Sequence, residues 1–134
     1  MTHWAFDYIG KPWEVASAGP HAYDCWGLVV EIHKRFHNRE LQIIAVEENN
    51  IRELIQTIDK HPERAFWDVI HNPVEGDIAL MRQSRHPIHV GVWLDVDGGG
   101  MLHSMQGAGV IFQNLHSLAL TGWKIENYYR YKGE

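Results

Sequence analysis

The chain has 134 residues, 45% of them hydrophobic, which is enough for one domain with a buried core and too short for two. Its formal net charge of −5 argues against a nucleic-acid-binding surface, because such surfaces depend on clustered Lys and Arg. The N-terminus lacks the basic start and apolar run of a secretory signal, and no stretch is apolar over the length that a bilayer requires. We therefore expect one domain over residues 1–134, made in the cytoplasm, with no nucleic-acid or membrane partner.

The first half of the chain carries helical patterns. Thr2 is placed to cap a short helix that ends before Gly10, and residues 11–23 have the proline and glycine content of a surface loop. Apolar residues at positions 25, 28, 29, 32 and 36 form the stripe of an amphipathic helix, for which Asp24 is a natural N-cap. Residues 41–44 fit a short strand or a turn. A second helix is predicted over residues 51–58, which a proline at position 62 ends.

The pattern changes to short strands after Pro73. Runs of β-type residues separated by glycine or polar turns occur at residues 77–81, 88–94, 101–105, 110–113 and 124–131. Helices followed by strands predict an α+β fold, with an antiparallel sheet of about five strands packed against the helix that begins at Cys25.

Cys25 is the only cysteine, so it is either a small buried hydrophobic residue or a reactive thiol. At the first position of a helix, unpaired N–H groups and the positive end of the helix dipole stabilise an anion. This placement predicts a lowered thiol pKa and a nucleophile. The alternative is that Cys25 is only the first apolar residue of the helix stripe and faces the core.

Two histidines are candidates for a base and its orienting partner. Strand alternation puts His89 and Gly91 on one face and aliphatic residues on the other, although a solvated histidine would show the same pattern. If the next hairpin loop spans residues 95–99, His103 falls opposite Gly91, one same-face step from His89. A turn of residues 98–99 alone would send His103 to the other face. With the longer loop, His89 takes the thiol proton, and His103 fixes the orientation and tautomer of the His89 imidazole.

Four ordered blocks carry a resemblance to the NlpC-type papain-like peptidases. They are the segments IGKPW at residues 9–13, YDCWGLV at 23–29, PVEGDIAL at 73–80, and HVGVWL at 89–94 followed by MLHS at 101–104. The resemblance implies a papain-like NlpC fold and a cysteine peptidase that hydrolyses amide bonds of bacterial peptidoglycan stem peptides, commonly the bond between D-glutamate and the following diamino acid.

The resemblance also implies roles for individual residues. Cys25 is the nucleophile, His89 the base and His103 the third member of the triad, and the backbone N–H of Cys25 contributes to the oxyanion hole. Residues expected near the oxyanion or substrate, in addition to the triad, are Trp13, Asp24, Trp26 and Gly91. Trp13 stands where the family usually has tyrosine, and an indole N–H can donate but not accept. Asp24 fits a helix cap equally well, and the tryptophans fit core positions.

The DCWGL form of the second block, with the preceding GKPW, resembles a branch of the family found in phage tail assembly proteins and prophages. That branch implies delivery to the cell wall as a virion tail component, with other tail proteins as partners. A secreted antibacterial effector and a non-catalytic tail module of the same fold are the alternatives. We expect no metal or cofactor, because a zinc site built from Cys25, His86, His89 and His103 would need His86 and His89 on one face of a strand.

Overall fold

A computed structural model describes residues 3–38, 67–83 and 86–131 of the chain. The helix predicted over residues 51–58 and the ambiguous residues 41–44 lie outside these ranges. The described elements are a 3₁₀ helix (Trp4–Asp7), α1 (Cys25–His37), β1 (Trp67–Ile70), β2 (Ile78–Gln83), β3 (His86–Leu94), β4 (Gly100–Met105), β5 (Gly109–Asn114), α2 (Leu115–Leu120) and β6 (Lys124–Tyr131).

Helix α1 begins where its sequence pattern predicts. The carboxylate of Asp24 accepts a hydrogen bond from the Gly27 N–H at 2.6 Å, which satisfies one of the donors that a helix start leaves unpaired. Asn38 ends the helix in the left-handed conformation, with φ of 52°. The apolar stripe is buried along most of its length, but Phe36 is 40% exposed and packs beside Trp4 instead of entering the core.

The described strands form one six-stranded antiparallel sheet in the order β1-β6-β2-β3-β4-β5. Helix α1 packs against β3 and β4. This arrangement confirms the predicted α+β class, a helix carrying Cys25 on an antiparallel sheet.

Two hydrophobic clusters lie on the two faces of this sheet. Alternation along β3 and β4 separates them, because successive side chains of a strand point to opposite sides. The cluster on the α1 face includes Cys25, Leu28, Val29, Ile32, Val90, Val92 and Leu102. The cluster on the other face includes Ala79, Met81, Trp93, Met101, Leu118 and Trp123.

The sequence patterns missed two elements and misplaced one cap. Among the described strands, the four-residue β1 pairs with β6 alone, and the six-residue α2 is too short to show a helical period. At the N-terminus, His3 is the cap, since its Nδ1 accepts from the Ala5 N–H at 3.0 Å. The predicted cap Thr2 lies outside the described residues.

Candidate active site

The loop before Cys25 is fixed by backbone hydrogen bonds to the sheet. The Gly10 N–H donates to the Val110 carbonyl and the Val110 N–H donates to the Lys11 carbonyl, both at 2.9 Å. The Tyr23 N–H then donates to the Pro12 carbonyl at 3.0 Å. Residues 9–13 therefore position the loop that leads to the nucleophile.

Ser104 ties the same loop to β4. Its buried hydroxyl donates to the Tyr23 carbonyl at 2.7 Å, two residues before Cys25. Asp24 adds a further link, because its second carboxylate oxygen accepts from the Ala16 N–H at 2.9 Å. Burial raises the pKa of Asp24 in spite of its two N–H donors. Since both carboxylate oxygens are occupied, Asp24 holds the helix start and the loop together.

No side chain is accommodated at Gly27, in the first turn of the nucleophile's helix. A Cβ atom there would collide with the backbone carbonyl of Ser17, a group that cannot move aside like a flexible side chain. The helix start therefore lies directly against the loop, which explains the glycine two residues after Cys25.

Cys25 is the first residue of α1 and is 3% exposed. Burial raises the pKa of its thiol to about 12, and the Asp24 carboxylate acts in the same direction. The backbone N–H groups of Val90 and Trp26 face the sulfur and lower the pKa, but they do not outweigh burial. The predicted lowering of the thiol pKa is therefore wrong for the substrate-free protein, in which Cys25 is a neutral thiol at pH 7.

We expect Cys25 to react slowly with iodoacetamide at neutral pH. Because the thiolate forms with a pKa near 12 and the sulfur is buried, the rate should lie far below that of the urea-unfolded chain and keep rising beyond pH 9. Mass spectrometry of alkylated protein measures this rate without ambiguity, since the chain has one cysteine. A rate that is already constant below pH 7 would contradict the buried neutral thiol.

The hairpin β3–β4 has the register that a five-residue loop predicts. Leu94 pairs with Gly100 and Val92 with Leu102, and the same register continued by one residue places Gly91 opposite His103. A Cβ atom at Gly91 would lie 3.0 Å from the Leu102 carbonyl oxygen and 3.1 Å from His103 Cβ. The absence of a side chain at Gly91 thus gives His103 the room to reach His89.

The two histidines form a buried hydrogen-bonded pair. His89 Nε2 and His103 Nδ1 are 3.0 Å apart, and His103 Nε2 lies 2.9 Å from Gln113 Oε1. His89 and His103 are 6% and 0% exposed, which sets aside the alternative of a solvated histidine. Gln113, on β5, was not recognised in the sequence, because nothing local to its strand distinguishes it from an ordinary polar residue.

Trp123 covers the histidine pair. Its indole stacks on the His89 ring at 5.1 Å between centroids and meets the His103 ring edge-on at 5.8 Å. Burial lowers the pKa of His103 to about 4, although its bond to Gln113 acts in the opposite direction. Burial, followed by the neighbouring His103, also lowers the pKa of His89 well below its ordinary value. Both imidazoles are therefore neutral at pH 7.

Cys25 and His89 approach the site from different faces of the sheet. Cys25 contacts the backbone N–H of Val90, the residue that directly follows His89. The His89 ring lies with Trp123 on the opposite side from the cluster that contains Cys25. Among the described residues, no hydrogen bond joins the thiol to the His89 ring. The structure thus brings His89 and His103 together. It places the Cys25 sulfur at the backbone N–H of Val90, the next residue of β3 after His89.

The tryptophans differ in their surroundings. Trp26 is buried in the α1-face cluster, so it is a core residue here. Trp93 packs in the second cluster and donates from Nε1 to the Asp95 carboxylate at 2.8 Å. Trp13 is half-buried in the loop before Cys25 and keeps surface that a ligand could contact.

Neither a metal cluster nor a membrane segment is found in the described ranges. No three His, Cys, Asp or Glu residues in residues 3–38, 67–83 and 86–131 are grouped so as to hold a metal ion. Within the same part of the chain, every helix is too short or too polar to cross a bilayer.

A helix-borne cysteine on an antiparallel sheet, beside a buried histidine pair, defines a papain-like cysteine hydrolase arrangement. The chain matches the NlpC/P60 family over residues 10–126 and belongs to that family. It is a family of cysteine peptidases that act on peptidoglycan peptides. A comparison with curated proteins gave no match.

Proposed function

We propose that the protein hydrolyses an amide bond in peptidoglycan stem peptides, with Cys25 as nucleophile, His89 as general base and His103 as the residue that orients His89. The observation that supports this most directly is the buried His89–His103 pair, which adjoins the backbone N–H that faces the Cys25 sulfur. Apolar residues would fill the space of the two buried imidazoles without their desolvation cost, which favours a catalytic role for the pair over a packing role.

Acylation begins with a neutral pair of groups. Acylation requires the Cys25 thiol to come within hydrogen-bonding reach of His89, and the thiol proton then passes to His89 as the sulfur bonds to the substrate carbonyl carbon. His89 then gives this proton to the amine as the C–N bond breaks, which leaves a thioester on Cys25. The oxyanion forms beside the first turn of α1, where the N–H of Cys25 is available because the first N–H groups of a helix have no partner within it.

Deacylation repeats the proton transfers with water. His89 accepts a proton from the attacking water, the C–S bond breaks, and the proton returns to the sulfur. The products are a peptide with a free carboxylate and one with a free amine. Because the thiol pKa is about 12 before substrate binds, the thiolate forms only as the proton moves to His89.

The bond between D-glutamate and the diamino acid is the proposed scissile bond, and a phage tail or prophage protein is the proposed context. Both proposals are supported by the resemblance of the motif blocks, in particular the DCWGL segment at residues 24–28. Other tail proteins would then be partners, and the cell wall the place of action.

The decisive experiment is digestion of purified muropeptides with the protein and with Cys25→Ser. We expect the wild-type products to have the masses of cleavage between D-glutamate and the diamino acid, and the variant to release none, because a serine hydroxyl is a far weaker nucleophile beside a neutral imidazole. Circular dichroism of both proteins controls for folding. Equal hydrolysis by the two proteins would refute Cys25 as the nucleophile. Cleavage at another amide would support the proposed peptidase activity but contradict the proposed scissile bond. The absence of hydrolysis by either protein would favour the non-catalytic tail module.

A further inference from the structure

The geometry points to Gln113 as a positioning residue that selects, through His103, which ring nitrogen of His89 is left to accept the thiol proton. The inference rests on the proposed role of His89 as base and adds a residue to it. It follows from the direction of each hydrogen bond in a chain that starts at α2 and ends at His89.

The Gln113 amide is oriented by two hydroxyl groups. Its Nε2 lies 3.1 Å from Ser117 Oγ and 3.1 Å from Thr121 Oγ1. The Thr121 hydroxyl donates its own hydrogen to the carbonyls of Ser117 and Leu118, both at 3.1 Å, so towards Gln113 it can only accept. The amide must therefore turn its NH₂ group to these hydroxyls and its carbonyl oxygen to His103.

The orientation of this amide determines where the proton of His103 resides. Gln113 Oε1 is only an acceptor, so His103 donates to it from Nε2 across 2.9 Å. A neutral imidazole has one N–H, which leaves His103 Nδ1 as an acceptor. His103 Nδ1 then receives the Nε2–H of His89 across 3.0 Å.

The series of hydrogen bonds that starts at α2 ends at His89, whose Nδ1 is the last nitrogen to be assigned. Since the single hydrogen of the neutral His89 ring is on Nε2, Nδ1 carries a lone pair, and no described residue forms a hydrogen bond with it. Nδ1 is therefore the basic nitrogen. If the Gln113 amide were reversed, its NH₂ would face His103, both histidines would switch tautomer, and His89 Nδ1 would carry a hydrogen that prevents it from acting as a base.

Nuclear magnetic resonance tests this directly, because long-range ¹H–¹⁵N correlations distinguish the two tautomers of histidine. We expect His89 and His103 of the wild-type protein, labelled with ¹⁵N-histidine at pH 7, both to be Nε2–H tautomers. Spectra of His89→Gln and His103→Gln assign the two signals among the ten histidines.

Gln113→Met removes the acceptor while keeping a side chain of similar length. We expect His103 to leave the pure Nε2–H form, His89 to follow, and kcat for muropeptides to fall about tenfold with little change in KM. The matched control is Gln83→Met, since Gln83 donates to the Thr121 carbonyl at 2.8 Å and touches neither histidine. This control should leave both tautomers and kcat unchanged.

A second variant covers the case in which Gln113→Met does not fold. Thr121→Val with Ser117→Ala removes both orienting hydroxyls at partly or fully exposed positions and leaves Gln113 in place. The amide can then reverse, and we expect a mixture of tautomers at His103. Nδ1–H tautomers in the wild-type protein, or Nε2–H tautomers that persist in every variant, would overturn the role of Gln113. Because the tautomers are measured without substrate, this result is separate from a failure of the proposed activity.

Discussion

His89→Gln is expected to lower kcat/KM for muropeptides by about 10²- to 10⁴-fold, the contribution typical of a positioned general base. The glutamine amide can still donate to His103 Nδ1, so the variant should keep the hydrogen bond that the histidine makes at 3.0 Å and remain folded. What it loses is the group that takes the thiol proton. The measurement is the initial rate of product release, with unfolding midpoints recorded for both proteins.

The matched control is His71→Gln, at an exposed histidine in the turn after β1. Its activity should equal that of the wild type. Because burial holds the pKa of His89 well below its ordinary value, His89 is unprotonated at pH 7 and stays so on mild acidification. The acid limb of the wild-type kcat/KM profile should therefore lie below pH 6.5. A His89→Gln variant with near wild-type rates would exclude this residue as the base.

Acidification is expected to destabilise the fold through His103. The pKa of this histidine is about 4 in the folded protein and 6.5 when unfolded, so between these values the unfolded chain binds more protons. Stability therefore falls as the pH is lowered from 6.5 to 4, and below pH 4 this residue adds no further loss. The difference in pKa corresponds to a loss of about 3 kcal/mol in the free energy of unfolding.

Urea unfolding at pH 7, 6, 5 and 4 measures this loss. The comparison with His103→Gln separates the contribution of this histidine from that of the carboxylates. We expect the wild type to lose more stability than the variant over this range. Parallel pH profiles for the two proteins would show that His103 is solvated, contrary to its complete burial.

The sequence was sufficient to predict the fold class and the histidine pair. The Asp24 cap and the apolar stripe placed α1 at Cys25, and counting residues across the 95–99 loop placed His103 opposite Gly91. Both are local features, since a cap acts within one turn and a hairpin register depends on its loop. The catalytic roles of Cys25, His89 and His103 remain predictions that the muropeptide experiments test.

Other features depend on contacts between distant segments, and the sequence did not reveal them. The raised pKa of Cys25 results from burial beneath the sheet, whereas the helix start alone predicts the opposite direction. The Gln113 amide is oriented by its hydrogen bond to Ser117 of α2, and this helix is too short to predict from the sequence. The same holds for Trp123, which lies over the histidines only because the chain turns back after α2.

Neighbouring residues of β4 serve the two halves of the site. His103 bonds to His89 on one face, and Ser104 bonds to the loop before Cys25 on the other. A register slip of β4 by one residue would exchange these faces and break both links together. A chain that folds with the wrong hairpin register therefore loses the support of the base and the anchor of the nucleophile's loop at once.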